Sequence, residues 1–228
     1  MRNRSRAHPF IVLASAILCG LPAAAGAQAA GTNTQGISLQ ITPGPGYDYS
    51  QPFLLFFRLP QYPQVACWIE TDDGVFVGTV YATRKGAKRA FYAAPSAGRP
   101  EALPVWYHRQ TGSAPALDAV SGATSAPSPE IRKTAPRRLR PGRYVVFLEV
   151  NRAYDYNDTY TRTSSGVNGQ PSLVYRATLD IADHLSSAQL ALAGTGSVDG
   201  ADGAIRDGTP GVTTALGIIA VATVGYQP

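Results

Sequence analysis

An all-β fold, an antiparallel immunoglobulin-like sandwich with long surface loops, is what this sequence predicts, and three observations predict it. The apolar segments are short and bounded by turn formers, with 23 Gly and 18 Pro in 228 residues. Ile37-Ser38-Leu39-Gln40-Ile41 alternates with period two, the spacing of a strand with one buried face. Asp72-Asp73-Gly74 stands between two apolar runs, as a hairpin turn does.

Taken in order, residues 37–41 open the fold. The apolar runs 53–57, 65–69 and 75–81 follow as strands, the last two joined by the Asp72-Asp73-Gly74 turn. Residues 90–93 and 105–109 read as further strands, then 143–152, 172–181 and 213–226, about nine in all. Pro141-Gly142 turns the chain into Arg143-Tyr144 and the run Val145-Val146-Phe147-Leu148-Glu149-Val150. Strands on this spacing fit a secreted sandwich. Only 186–192 has a helical flavour. Residues 111–141, rich in Ser, Ala, Pro and Arg, read as a long loop of the kind that tends to be functional. The Gly- and Asp-rich stretch 194–211 reads as a second surface excursion.

Composition bounds the rest. With 44% hydrophobic and 15% charged residues the chain is neither disordered nor large enough for more than two domains. Residues 1–27 have the three parts of a secretory signal peptide. These are a basic stretch with Arg2, Arg4 and Arg6, an apolar stretch, and the small-residue site Ala25-Gly26-Ala27. Cleavage near Ala27 leaves a linker at 28–36 and one sandwich domain at 37–228, in the periplasm or secreted. No later apolar run reaches the eighteen or so residues that span a bilayer, so no stable membrane span is expected after cleavage. Losing three arginines from 20 basic residues leaves 17 against 15 acidic ones, a net charge of +2. That balance does not support nucleic-acid binding. Cys19 leaves with the leader, so Cys67 has no partner for an intramolecular disulfide and reads as a buried thiol.

One segment carries a candidate chemistry, Asp118-Ala119-Val120-Ser121-Gly122-Ala123-Thr124-Ser125. It resembles the Asp-x-x-Ser/Thr-Gly-Ala-Thr-Ser/Thr signature of bacterial flavinylation sites. The resemblance implies that a flavin transferase, with FAD as donor and Mg²⁺, joins FMN by a phosphoester to Thr124. The residue types suit that chemistry. Thr124 supplies the hydroxyl, and Gly122 and Ala123 are small enough for a second enzyme to close over the backbone. Asp118 and Ser121 are polar handles for docking. A tethered flavin supplies redox chemistry that no side chain has, and Trp106 and Tyr107 are the nearest aromatic rings in sequence to stack on it.

A wider likeness rests on four segments in order. They are Cys67-Trp68-Ile69-Glu70, Pro104-Val105-Trp106-Tyr107, the stretch from Asp118 to Thr124, and Pro141-Gly142-Arg143-Tyr144 to Glu149. It is similar to a family of secreted bacterial proteins, a predicted periplasmic domain of unknown function often encoded beside flavin transferases and membrane reductases. In that family Gly-Ala-Thr is usually followed by Pro-Gly and a strand, whereas here 125–140 is a longer, Arg-rich insertion. The resemblance implies an accessory of flavin-linked electron transfer, with a flavin transferase and a membrane reductase as partners. The alternative is a non-enzymatic cell-envelope binding or assembly module with no cofactor.

Other clusters read more plainly. Arg132, Lys133, Arg137, Arg138, Arg140 and Arg143 fit an anion site or a solvated loop. The segment from Tyr154 to Tyr160 reads as a long hairpin with exposed tyrosines, or as a sugar or cation surface. Asp199, Asp202 and Asp207 with their glycines resemble a loose calcium loop but lack EF-hand spacing. His108 and His184 have no metal-ligand partner in sequence. No nucleophile or metalloprotease motif is present, so no autonomous active site is expected and no catalytic residue is assigned.

Overall fold

The computed structural model describes residues 36–54, 57–84, 86, 99–110, 120–122, 130–135, 138–182 and 184–228. The predicted leader, most of the linker and the predicted strand 90–93 lie outside them. Twelve strands are described: β1 (Gly36–Pro43), β2 (Ser50–Leu54), β3 (Phe57–Pro60), β4 (Gln64–Thr71), β5 (Phe76–Thr83), β6 (Val120–Gly122), β7 (Ile131–Ala135), β8 (Gly142–Asn151), β9 (Leu173–Ile181), β10 (Ser186–Gln189), β11 (Ala191–Thr195) and β12 (Ile219–Gln227). The order β10-β12-β1-β7 makes a four-stranded sheet and β11-β9-β8-β4-β5-β6 a six-stranded one, while β2 and β3 pair as a hairpin. The protein is an all-β sandwich. Every strand pairing is antiparallel except β5 with β6, which run parallel.

Period two builds the space between the sheets. On β1, Ile37, Leu39 and Ile41 point inward opposite Tyr226, Val224 and Ala222 of β12. On the facing sheet Val65, Cys67 and Ile69 of β4 join Val146, Leu148 and Val150 of β8 in the same core. The other faces of β4 and β8 are also buried, through Ala66, Trp68 and Phe147. Trp68 and Phe147 are register partners, and their rings stack at 5.1 Å, which adds about 0.5–1.5 kcal/mol to plain burial. Strands buried on both faces read as unbroken apolar runs, as Val65–Ile69 does in the sequence.

What covers that second face differs from expectation. Residues predicted as a strand at 105–109 form a short helix, α1 (Pro104–Arg109), preceded by a 3-10 turn at Pro100–Ala102. Pro104 takes the first helical position, where its fixed φ and missing N–H cost nothing. Six residues are too few for a self-supporting helix, so tertiary contact holds α1. Its buried side chains Val105 and Trp106 pack with Leu103 onto Trp68, Phe147 and Val174, each contributing about 1.5–3 kcal/mol by burial. Because β5 and β6 run parallel, the chain between them crosses over, and its described residues 99–110 pack on the outer face of the six-stranded sheet.

Three further expectations are corrected. The predicted loop at 111–141 contains β6 and β7, and β7 pairs with β1 from Ile37↔Ala135 to Ile41↔Ile131. The segment 186–192 is not helical. Its residues divide between β10, paired with β12, and β11, paired with β9, and buried Leu190 marks the crossing from one sheet to the other. Edge pairing overrides the high helix propensity of Ala and Leu there. Of the run predicted as one strand at 53–57, Phe53 and Leu54 belong to β2 and Phe57 opens β3.

Cys67 is fully buried in the inter-sheet core, and desolvation pushes its thiol well above the usual cysteine range. Native protein should therefore resist a thiol-labelling reagent at Cys67, which should react only on unfolding, as mass spectrometry of labelled samples will show. Rapid labelling under native conditions would contradict this burial.

Candidate functional site

The motif segment is described only in part. Its residues Val120-Ser121-Gly122 are β6, paired in parallel as Tyr81↔Val120, Ala82↔Ser121 and Thr83↔Gly122. Asp118, Ala123 and Thr124 lie outside the described residues. Gly122 thus ends an edge strand beside the end of β5. Thr83 fixes that end of β5: its buried hydroxyl donates to Gln64 Oε1 at 2.9 Å and accepts from the Val65 N–H at 3.2 Å.

The crossover that leads to β6 is anchored by a residue that sequence reasoning did not single out. Alternation along β8 turns Val146, Leu148 and Val150 to the inter-sheet core and Phe147 and Glu149 to the outer face. Glu149 is 0% exposed. Its carboxyl accepts the Trp106 N–H at 2.8 Å, the Val105 N–H at 3.2 Å and the Ser172 hydroxyl at 2.6 Å. The two amides are orphans of the first turn of α1, so Glu149 is a helix cap delivered from the sheet. Burial pushes its pKa up to about 7, against the opposing pull of the hydrogen bonds from Ser172, Trp106 and Val105. A Cβ at Gly196 would lie 2.4 Å from Ser172 Oγ and 2.7 Å from Pro104 Cγ. The backbone therefore comes this close only because residue 196 is Gly. One signal for Glu149 exists in the sequence: it is the lone charge inside an apolar strand run.

At the other end of α1, Glu70 accepts from Trp68 Nε1 at 2.8 Å, and Arg109 Nη1 lies 3.5 Å from its carboxylate. Trp106 Nε1 donates to Thr79 Oγ1 at 3.0 Å. Trp106 is 4% exposed, so the stacking surface that the sequence suggested for a flavin is enclosed in the core. Tyr107 is half-buried, with its ring edge-on to His108 at 5.3 Å. The stretch 194–211 begins in β11 and then packs on the crossover, where His108 Nε2 meets Gly200 O at 2.9 Å.

A second polar cluster closes the sandwich where β8 ends. Arg152 Nη2 lies 2.8 Å from Asp155 Oδ2, with both side chains almost fully buried. The guanidinium also bonds to Gly46 O and sits over the Tyr49 ring at 4.5 Å. Asp155 Oδ1 accepts from Thr214 Oγ1 at 2.5 Å, and Gln170 Oε1 accepts the Thr213 N–H at 2.6 Å. Gly169, at φ 71°, lies against the Asp155 backbone, where any Cβ would clash.

The Tyr-rich segment is not a hairpin. It is a loop leading into a short helix, α2 (Arg162–Ser165), capped by the Thr161 and Ser164 side chains. Tyr156 OH donates to Gly166 O and Tyr160 OH to Pro210 O, at 2.7 and 2.8 Å, while the Asn157 amide bonds to Gly211 O. These half-buried tyrosines fasten the loop to its neighbours.

Among the basic residues, Arg132 pairs with Glu130 at 2.7 Å, Arg143 lies 3.7 Å from Asp72, and Lys133 Nζ sits 5.1 Å over the Tyr81 ring. Asp202 is bound by Arg206 at 2.9 Å and by the Ala204 N–H at 2.9 Å, which hold its carboxyl below the usual range. Asp199 accepts the Ala201 N–H at 3.1 Å. Among the described residues no three His, Cys, Asp or Glu side chains gather as a metal site, and no helix is long and apolar enough to cross a membrane. No protein-family model matches the chain, and neither a curated protein nor a solved structure matches it.

Removing one partner of the Arg152–Asp155 pair strands a buried charge. Arg152→Ala should lower stability by about 3–5 kcal/mol, and a paired replacement of both residues by apolar ones of similar volume should cost less. Urea unfolding of the two variants checks this order.

Proposed function

We propose that the mature chain is an exported periplasmic accessory of flavin-linked electron transfer, carrying FMN on Thr124. The supporting observation is the place of Ser121-Gly122 in the fold. They end an edge strand at the rim of the six-stranded sheet, and Thr124 follows Gly122 by two residues. At a reach of about 3.5 Å per residue, covalent geometry ties the acceptor to that rim. Among the described residues one side of β6 is unpaired, which suits a segment that must enter another enzyme's site.

In the transfer, the Thr124 oxygen forms a bond to the FMN phosphorus, the pyrophosphate bond of FAD breaks, and AMP leaves. The hydroxyl proton passes to a base of the transferase. Once attached, the flavin supplies electron transfer. This chain contributes position: β6 is fixed to β5, and the crossover before it is fixed by Glu149. Trp106, being enclosed, takes no part in flavin stacking.

One observation favours the alternative, a non-enzymatic cell-envelope binding or assembly module with no cofactor. Arg138, Arg140 and Arg143 are exposed around the turn that opens β8, a basic surface suited to an acidic partner. Neighbouring genes separate the readings, a flavin transferase favouring the first and adhesion or secretion genes the second.

Mass spectrometry of protein from its native periplasm should find an FMN phosphoester on the peptide containing Thr124, absent in Thr124→Ala. Unmodified protein from cells that express the transferase would retire the flavin reading.

A further inference from the structure

We propose that Glu149 is a proton-dependent latch on the crossover. Protonated, it holds the segment 103–109 tightly against the six-stranded sheet, and ionised, it lets that segment open to water. The latch is independent of whether Thr124 carries a flavin.

The geometry carries the argument. Four parts of the chain meet at this carboxyl: β8, which bears it, Ser172 beside β9, the first turn of α1, and Gly196 of the loop after β11. Among the described residues, every group hydrogen-bonded to it is neutral. The charged groups on the surrounding elements are engaged elsewhere. Arg109 of α1 faces Glu70 of β4, Arg99 pairs with Glu101 at 2.7 Å before α1, and Arg206 pairs with Asp202 in the loop. His108 of α1 bonds to Gly200 O, and Arg176 and Asp180 of β9 are exposed. A carboxylate in such a place has hydrogen bonds but, among the described residues, no counter-ion, and burial then favours its neutral form. The protonated group fits the same contacts. Ser172 Oγ, at 2.6 Å, can accept the carboxyl proton, and the oxygens keep lone pairs for the Val105 and Trp106 amides.

Opening of the crossover exposes Glu149 to water, where it ionises in the ordinary carboxylate range. The closed state keeps its proton up to about pH 7. Because the closed-state value is raised, the closed form is favoured fully below the ordinary value. That advantage falls by about tenfold per pH unit as pH rises. It levels off above about 7.

Hydrogen exchange of the mature protein tests this, followed on peptides covering 103–109 from pH 5 to 8 and corrected for intrinsic exchange. Protection in the wild-type chain should fall by at least tenfold between pH 5 and 7 and then level off. In Glu149→Gln it should be flat. Equal pH dependence in both proteins, or none in the wild type, overturns the latch. Should Glu149→Gln fail to fold, a carbon-13 NMR titration of the wild-type Glu149 carboxyl decides. A midpoint near 7 supports the proposal and an ordinary carboxylate midpoint overturns it.

Discussion

The structure depends on one constraint: the central strands β4 and β8 are apolar on both faces, so the six-stranded sheet needs a cover on each side. The four-stranded sheet covers one, through Ile37, Leu39 and Ile41 of β1 and their partners on β12. The other is covered by a crossover of little intrinsic stability, seated on Trp68 and Phe147. A buried apolar face left to water would cost far more than ordering those few residues, since each large side chain is worth about 1.5–3 kcal/mol. The cover brings the first amides of α1 to a place where water cannot reach them, and Glu149 answers that need. One carboxyl therefore joins the sheet, the helix and, through Ser172 and Gly196, the loop that packs over both.

The edges of the sandwich follow the same logic. Lys133 sits opposite Leu39 on the edge strand β7, on its inward row, with its ammonium over the Tyr81 ring. A charge turned inward on an edge strand discourages pairing with another chain. At the far end of β8 the Arg152–Asp155 pair ties the segments around Gly46, Gly169 and Thr214 into one knot. The tyrosines 156 and 160 fasten the next loop by their hydroxyls. This end of the sandwich, where β8 leaves the sheet, is thus closed by polar contacts.

Much of this was legible in the sequence. Period two along 37–41, the unbroken runs at 65–69 and 145–150, and the Asp72-Asp73-Gly74 turn identified β1, β4, β5 and β8, because in those segments local pattern and burial agree. Gly74, at φ 84°, holds the turn as its sequence implies. The helix α1 was hidden because a Pro start and a cap from β8 decide it, and the cap lies 44 residues away. Strand β7 was hidden because Arg132, Lys133 and Thr134 separate its two buried residues, so its alternation shows only beside β1. The segment 186–192 reads as helical by composition, yet two different sheets claim its halves. For the candidate site, Ser121 and Gly122 could be placed on the sheet rim, while Asp118, Ala123 and Thr124 fall outside the described residues. The aromatic neighbour Trp106 misled, since nearness in sequence said nothing of its turning into the core.

A cover that docks through a six-residue helix and one carboxyl is also the natural place for the sandwich to respond to its surroundings without losing its core. The two tryptophans of the chain, Trp68 and Trp106, lie on opposite sides of that contact. The most direct measurement of the central claim is the emission of Trp106 alone, in the Trp68→Phe protein. At pH 5, where the cover is closed, blue-shifted emission shielded from a soluble quencher until the chain unfolds is what a covered outer face predicts. Red-shifted, freely quenched emission from protein whose far-ultraviolet spectrum still shows intact sheet would contradict it.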